Sequence, residues 1–451
     1  MRRLLPYIIL FAMTVVGCHD NELGYENDIV WPPEKPELFD RTVLVYVMGE
    51  NNLSSYVSSE LKELRAGSVG IGNNALIVYV DKADSKVMPY ILWIRDGQTA
   101  DSCALDYDPI SSDPVEMKRI LDYTSSNYPA KEYGLVLWGH ASGWHTEDSV
   151  KPTERNKTIK RAYGTDNGRN ASTMSGKWIN IPSLRQTLSE WKHLKYIFAD
   201  CCQFQCIESA YELRNVTDYI IASPAEIPNE GAPYHTVAKG LFDPSDMFYK
   251  TIVDNYFEQV IPFKGYIGSW SSLYYDIEAR TPLSVIKTSE LDQLATATHQ
   301  ALQSFLPQSS GIAPNLLTEK LIYYRGNTSS AKETVMYDMN DFMLHYATPS
   351  AYSNWKTAFE QAVIYKVNAN DGWITSGQIL PYVFGQDGYG NATTPILTNE
   401  RYGGISMFVP QDRAGSWYMP YQSNGVNFQG YNNDIKRTSW YDAAGLSAFG
   451  W

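Results

Sequence analysis

Two places in the chain put a reactive side chain directly behind a run of apolar residues. Gly134-Leu135-Val136-Leu137-Trp138-Gly139 leads into His140, and Lys195 to Ala199 leads into Asp200-Cys201-Cys202. A thiol and an imidazole brought together suit nucleophilic catalysis: the thiolate attacks, and the imidazole favours the thiolate and later protonates a leaving amine. Taken singly, each has a plain structural reading, because a histidine after a strand is commonly a surface residue and a buried cysteine commonly core. Their joint placement, with the small residues Ala141, Ser142 and Gly143 alongside, points to a Cys/His site. Other candidates carry less. His145 lacks further ligands at zinc spacing, the five cysteines show neither a disulfide framework nor a paired CxxC, and His193, His235, His299 and His345 receive no role. Trp144 and Tyr234 either wall a cleft or pack.

For these groups to meet, the runs that deliver them must be neighbouring strands. Continuous apolar runs at 42–48 and 75–81, with further strand candidates at 89–94, 134–139, 195–199 and 219–223, alternate with helical patterns over 55–65, 114–126, 181–190 and 207–213. That alternation predicts an α/β fold with a mostly parallel sheet flanked by helices, in which reactive groups gather past the carboxyl ends of the strands. Beyond about residue 240 the pattern is less regular. Helices are expected over 289–305 and 331–346, and strands over 283–286 and 404–409. The polar stretch 146–177, with Lys151, Arg155, Lys157, Lys160, Arg161 and Arg169, reads as one long loop.

The 451 residues, 44% hydrophobic and 19% charged, describe a large globular chain, and exclude disorder, collagen and coiled coil. A net charge of −13 argues against a nucleic-acid partner. The first seventeen residues, with Arg2 and Arg3 ahead of an apolar run, read as a signal peptide too short to span a bilayer. Val15-Val16-Gly17-Cys18 resembles a lipobox, which predicts acylation of Cys18 and a lipid anchor in a bacterial envelope. Residues 18–40, carrying Pro32, Pro33 and Pro36, then form a tether; 41–240 form the catalytic domain; 241–451 complete and cover its sheet.

Tyr133 to Trp144, together with Phe198-Ala199-Asp200-Cys201-Cys202 and the following Glu208-Ser209-Ala210-Tyr211-Glu212-Leu213, resembles the clostripain family of cysteine peptidases within the caspase-like group. Leu44 to Leu53, Ile221-Ala222-Ser223, Leu283-Ser284-Val285 and Gly404 to Pro410 are similar to further landmarks, so the likeness runs from about Arg41 to Phe449. The resemblance implies a caspase-like sheet and cleavage of polypeptides after Arg or Lys. It assigns Cys202 as nucleophile, with Cys201 in place of the family's alanine, and His140 as general acid and base. Backbone N–H groups of Ala141 and Cys202 would hold the oxyanion, Ala141 standing where the family has glycine. Asp200 would lie at the base of the pocket for the basic side chain, with Glu226 or Glu230 as the second acid. The family also implies a zymogen cut within the 146–177 loop. No cofactor is required by the sequence; calcium serves some family members, although the turns at 368–372 and 385–390 lack calcium-loop spacing. Two rivals stand beside this reading: a catalytically inactive peptide-binding lipoprotein on the same fold, and a surface glycan-binding or adhesin-like protein.

Overall fold

The computed structural model describes residues 38–84, 86–144, 163–168, 176–266, 274–307, 321–325, 336–369, 373–375, 378–380, 398–409 and 434–451. The signal peptide, Cys18, nearly all of the tether, His145, the basic residues 151–161 and the turn at 385–390 lie outside them.

The described strands in chain order are β1 (Phe39–Gly49), β2 (Asn74–Lys82), β3 (Tyr90–Arg95), β4 (Gln98–Ala104), β5 (Ala130–Trp138), β6 (Tyr163–Asp166), β7 (Lys177–Ile179), β8 (Leu194–Asp200) and β9 (Thr217–Ala222). They continue with β10 (Ile261–Tyr266), β11 (Tyr274–Ala279), β12 (Leu283–Lys287), β13 (Tyr323–Arg325), β14 (Met336–Asp338) and β15 (Val363–Val367). The first six helices are α1 (Val57–Gly67), α2 (Pro114–Asn127), α3 (Ile181–Ser189), α4 (Ile207–Leu213), α5 (Tyr234–Leu241) and α6 (Phe248–Phe257). Three more follow: α7 (Leu291–Gln303), α8 (Met339–Tyr346) and α9 (Pro349–Ala362).

One sheet of nine strands, ordered β15-β12-β9-β8-β5-β1-β2-β3-β4, organises the molecule. Its five central strands, β2, β1, β5, β8 and β9, run parallel, and both flanks are antiparallel. Strands buried on both faces need apolar side chains at every position, which is why β1 and β2 read as unbroken apolar runs. The lateral row Val78, Val45, Val136, Phe198 and Ile221 faces α1, α5 and α6, whereas the next row, Tyr79, Tyr46, Leu137, Ala199 and Ala222, faces α2, α3 and α4. Each one-residue step along the strands changes face.

The expected mostly parallel, helix-flanked α/β sheet is therefore the one observed. Local differences have local reasons. β4 carries little apolar pattern because it is a solvent-exposed edge strand. The 146–177 stretch holds a short hairpin, β6 with β7, where only loop was expected. Helix 331–346 shrinks to α8: residues 331–335 lie outside the described segments, 336–338 form β14, and Asp338 caps α8 by accepting the Asp341 N–H at 2.9 Å. The 404–409 strand narrows to Ser406–Met407. Past residue 240, β12 and β15 extend the sheet beyond β9. Among the described residues, no helix is long and apolar enough to cross a membrane.

Candidate active site

Register brings the two predicted strand ends together. β5 and β8 are parallel neighbours with Trp138 opposite Asp200, so His140 and Cys202 each lie two residues beyond a laterally paired position. Adjacent strands run about 4.8 Å apart, which sets both side chains at one mouth of the sheet.

Gly139 makes the bend into His140. Its φ is +147°, and a Cβ there would sit 3.1 Å from the Met48 carbonyl oxygen, so glycine fits where a side chain would crowd. The His140 carbonyl accepts the Gly164 N–H at 2.7 Å, fastening the loop to the β6 hairpin. His140 Nε2 lies 2.6 Å from Asn52 Oδ1, a pairing in which Nε2 carries the proton. Asn52 follows β1 and was legible in sequence only as part of the Glu50-Asn51-Asn52-Leu53 landmark. It gains a role only through the fold.

The neighbouring thiols are told apart by burial. Cys201 has no solvent exposure, lies in the core under α2 to α4, and its thiol is pushed well up by burial, then by Cys202 and Asp200. Cys202 is half-buried on the turn that follows, and its Sγ accepts the Ile227 N–H at 3.5 Å. That turn is tight: Gln203 adopts a left-handed φ of +57° and donates its N–H to the Ala225 carbonyl at 2.8 Å. Ala141 is buried and forms a single antiparallel bridge to Tyr163, whose hydrogen bond runs from Gly164 N to the His140 oxygen and not through the Ala141 N–H. Its backbone is not left-handed, so alanine carries no strain where the family has glycine.

Asp200 closes the row Val80, Val47, Trp138, and parity turns it toward α5 and α6. Its carboxylate is buried and accepts three hydrogen bonds: Ala232 N at 2.9 Å and Tyr234 Oη at 2.8 Å on Oδ2, and Tyr256 Oη at 3.1 Å on Oδ1. Burial raises its pKa to about 6 against the pull of those donors. Tyr234, a possible wall in the sequence reading, is thus a packed donor, and Trp144 is likewise buried, 5.3 Å from the Phe408 ring. Glu226 is half-buried and accepts from Gln203 Nε2 at 3.4 Å, while Glu230 is exposed further along the same loop.

A further acid lies on the Asp200 side of the sheet. Glu60 of α1 is buried among Asp200, Glu63 and Glu230, one of its oxygens has no hydrogen-bond partner, and burial raises its pKa to about 10. In sequence it is one more polar residue on an amphipathic helix; only the packing of α1 on this face shows where it sits.

A raised carboxylate binds its proton more tightly folded than unfolded, so its stabilising contribution is complete below the unfolded pKa and is lost as pH rises through the folded one. For Asp200, between 3.8 and about 6, this amounts to about 3 kcal/mol. The thermal midpoint of the wild type should fall more between pH 4 and pH 7 than that of Asp200→Asn. Parallel melting curves of the two proteins would sink this account.

Fold and site together define a caspase-like α/β protein with a thiol and an imidazole at adjacent parallel strand ends. The chain belongs to the clostripain family, whose family model matches residues 45–447. It is 22% identical over 254 residues to clostripain of Hathewaya histolytica, an alignment covering 51% of this chain and 47% of that protein, so it matches less than half the length of this relative. A secreted C11 cysteine protease from Bacteroides thetaiotaomicron, solved with an irreversible peptide inhibitor, superposes with a TM-score of 0.65 at 28% identity, covering 90% of this chain and 99% of its own. An inactive zymogen C11 protease from Parabacteroides distasonis superposes at 0.63 and 25% identity, with 91% and 99% covered.

Proposed function

We propose that the protein is a cysteine endopeptidase that cuts polypeptides after a basic residue, exported by the 1–17 leader and held at a bacterial membrane by acyl chains on Cys18. Family membership and the placement of a half-exposed Cys202 beside His140, with Cys201 sealed in the core, support the reading. Cys202 Sγ, as thiolate, attacks the scissile carbonyl carbon, and the N–H groups of Ala141 and Cys202 receive the oxyanion. As the C–N bond breaks, protonated His140 gives its proton to the leaving amine. Water, losing a proton to His140, then attacks the thioester; the peptide acid leaves and Cys202 is restored. Asp200 draws the guanidinium or ammonium of the substrate toward the floor beneath Cys202, with Glu226 and Glu230 on the adjoining loop.

A peptide acyloxymethyl ketone ending in Arg tests the site directly. It should label the protein at least about tenfold faster than its norleucine counterpart, with the adduct on Cys202 by peptide mapping. Adducts on Cys201 or Cys206, or no adduct with either reagent, would overturn the proposal and bring the peptide-binding lipoprotein forward.

A further inference from the structure

The neighbouring strands β1, β5 and β8 end at the same edge of the sheet, with Val47, Trp138 and Asp200 in one lateral row. Beyond that row β8 delivers Cys202, β5 delivers His140 and β1 delivers Asn52. Strand order therefore gives the imidazole a thiol on one flank and a carboxamide on the other. The two nitrogens of an imidazole point apart, so a single nitrogen cannot serve both flanks. Nε2 is taken by Asn52 Oδ1 at 2.6 Å, an oxygen that can only accept. Nε2 is then the protonated nitrogen, and proton exchange on the thiol side falls to Nδ1.

Asn52 is exposed, and its place is set by the residues before it. Asn51 is buried; its Nδ2 donates to the Met48 and Thr165 carbonyls, each at 2.9 Å, and its Oδ1 accepts the Leu53 N–H at 2.9 Å. The Glu50 carbonyl accepts the Asn167 N–H at 2.9 Å, so the turn is fastened to β6 and to the residue after it. The same short strand fastens the other member of the pair. Gly164 donates its N–H to the His140 carbonyl at 2.7 Å, beside the Ala141–Tyr163 bridge. Gly164 has a φ of +58°, and a Cβ there would collide with Met48 Sδ, so only glycine lets β6 lie this close to β1. One clip thus sets acceptor and donor against each other before any substrate arrives, and little ordering is left to be done during the reaction.

We propose that Asn52 is a positioning residue for His140, holding the ring with its proton on Nε2 so that Nδ1 carries the proton traffic of the peptidase reaction; this rests on the Cys/His reading above. As the scissile C–N bond breaks, the Nδ1 proton of the imidazolium passes to the leaving nitrogen, and the ring becomes neutral already in its Nε2–H form. In deacylation Nδ1 takes a proton from water, the hydroxide adds to the thioester carbonyl carbon, and Cys202 leaves as thiolate, which restores the starting pair. The Nε2–H stays on Asn52 throughout. Whenever the ring is positive that hydrogen bond is charge-assisted, and so at its strongest. An amide does this without the negative charge of a carboxylate, which would hold the ring in its protonated form.

One arm of the test needs no turnover. The full chain is made with isotope-labelled histidine and read by NMR, the His140 signals being those missing from His140→Gln. In the wild type Nε2 should carry the proton when the ring is neutral, and that proton should exchange with water at least about threefold more slowly than in Asn52→Ala. Kinetics on a peptide with Arg at P1 form the second arm. Asn52→Ala should lower kcat about 10- to 50-fold with KM changed less than about twofold, and should move the thermal midpoint by less than about 2 °C because the side chain is exposed. Asn52→Asp, which keeps an acceptor oxygen at the same reach, should bring kcat back to within about fivefold of wild type. A neutral wild-type ring protonated on Nδ1, or equal exchange in Asn52→Ala, overturns the proposal whether or not the protein cuts peptides. So does a kcat in Asn52→Ala within about threefold of wild type, or one lost in step with the midpoint and not recovered by Asn52→Asp. A wild type that shows the bonded Nε2–H yet cuts no Arg peptide refutes the peptidase reading itself, and the role given to Nδ1 falls with it.

Discussion

Cys202→Ala is expected to lower kcat/KM on a peptide with Arg at P1 by at least about 10³-fold, with KM little changed. The nucleophile forms the acyl bond itself, so its loss leaves only what the oxyanion donors and substrate binding contribute. Cys201→Ala is the informative contrast. Its thiol lies in the core with a strongly raised pKa, and it faces the helices α2 to α4 and not the mouth of the sheet. Removing one buried sulfur costs about 1 kcal/mol of stability and should change kcat/KM less than about threefold. Single-turnover kinetics on both variants, with melting curves to verify folding, decide the point. Activity surviving in Cys202→Ala and lost in Cys201→Ala would reverse the assignment.

Asp200→Asn carries the second large effect. A buried carboxylate meeting a guanidinium loses its partner in the neutral variant, a change typically worth 2 to 5 kcal/mol. The expected result is a loss of about 10²-fold in kcat/KM for Arg substrates, with less than about threefold for norleucine. The pH profile adds a signature that a merely structural role would not produce. With the free-enzyme pKa at about 6, kcat/KM for the Arg substrate should rise through that pH in the wild type as the carboxylate ionises, and this step should be missing in the variant. Glu60→Gln is the control. Burial keeps Glu60 protonated up to about pH 10, so an amide of the same shape should change selectivity less than about threefold. Equal losses for Arg and norleucine in Asp200→Asn would show that its three hydrogen bonds to Ala232, Tyr234 and Tyr256 serve the fold alone.

Much of this molecule is legible along the chain because parallel strands buried on both faces must be apolar throughout. β1, β2, β5 and β8 announce themselves, and the residues behind β5 and β8 then stand out as the reactive ones. The edge strand β4 and the β6–β7 hairpin lack that signal, since neither is buried on two faces. In sequence Met336-Tyr337 continues into α8 without a break; pairing of Tyr337 with Met407 makes it a strand, and capping by Asp338 sets where the helix begins.

By itself, then, the sequence determined the alternation of strand and helix, the family, and the two strand ends where His140 and Cys202 stand. Tertiary structure alone decided which face each neighbouring side chain takes. It sent Cys201 to one side and Asp200 to the other, and supplied Asn52 to His140 and Tyr256 to Asp200. The reason is physical: apolar periodicity is a local property of a strand, whereas the partner of a buried polar group comes from whichever distant segment the register and helix packing bring within hydrogen-bond reach.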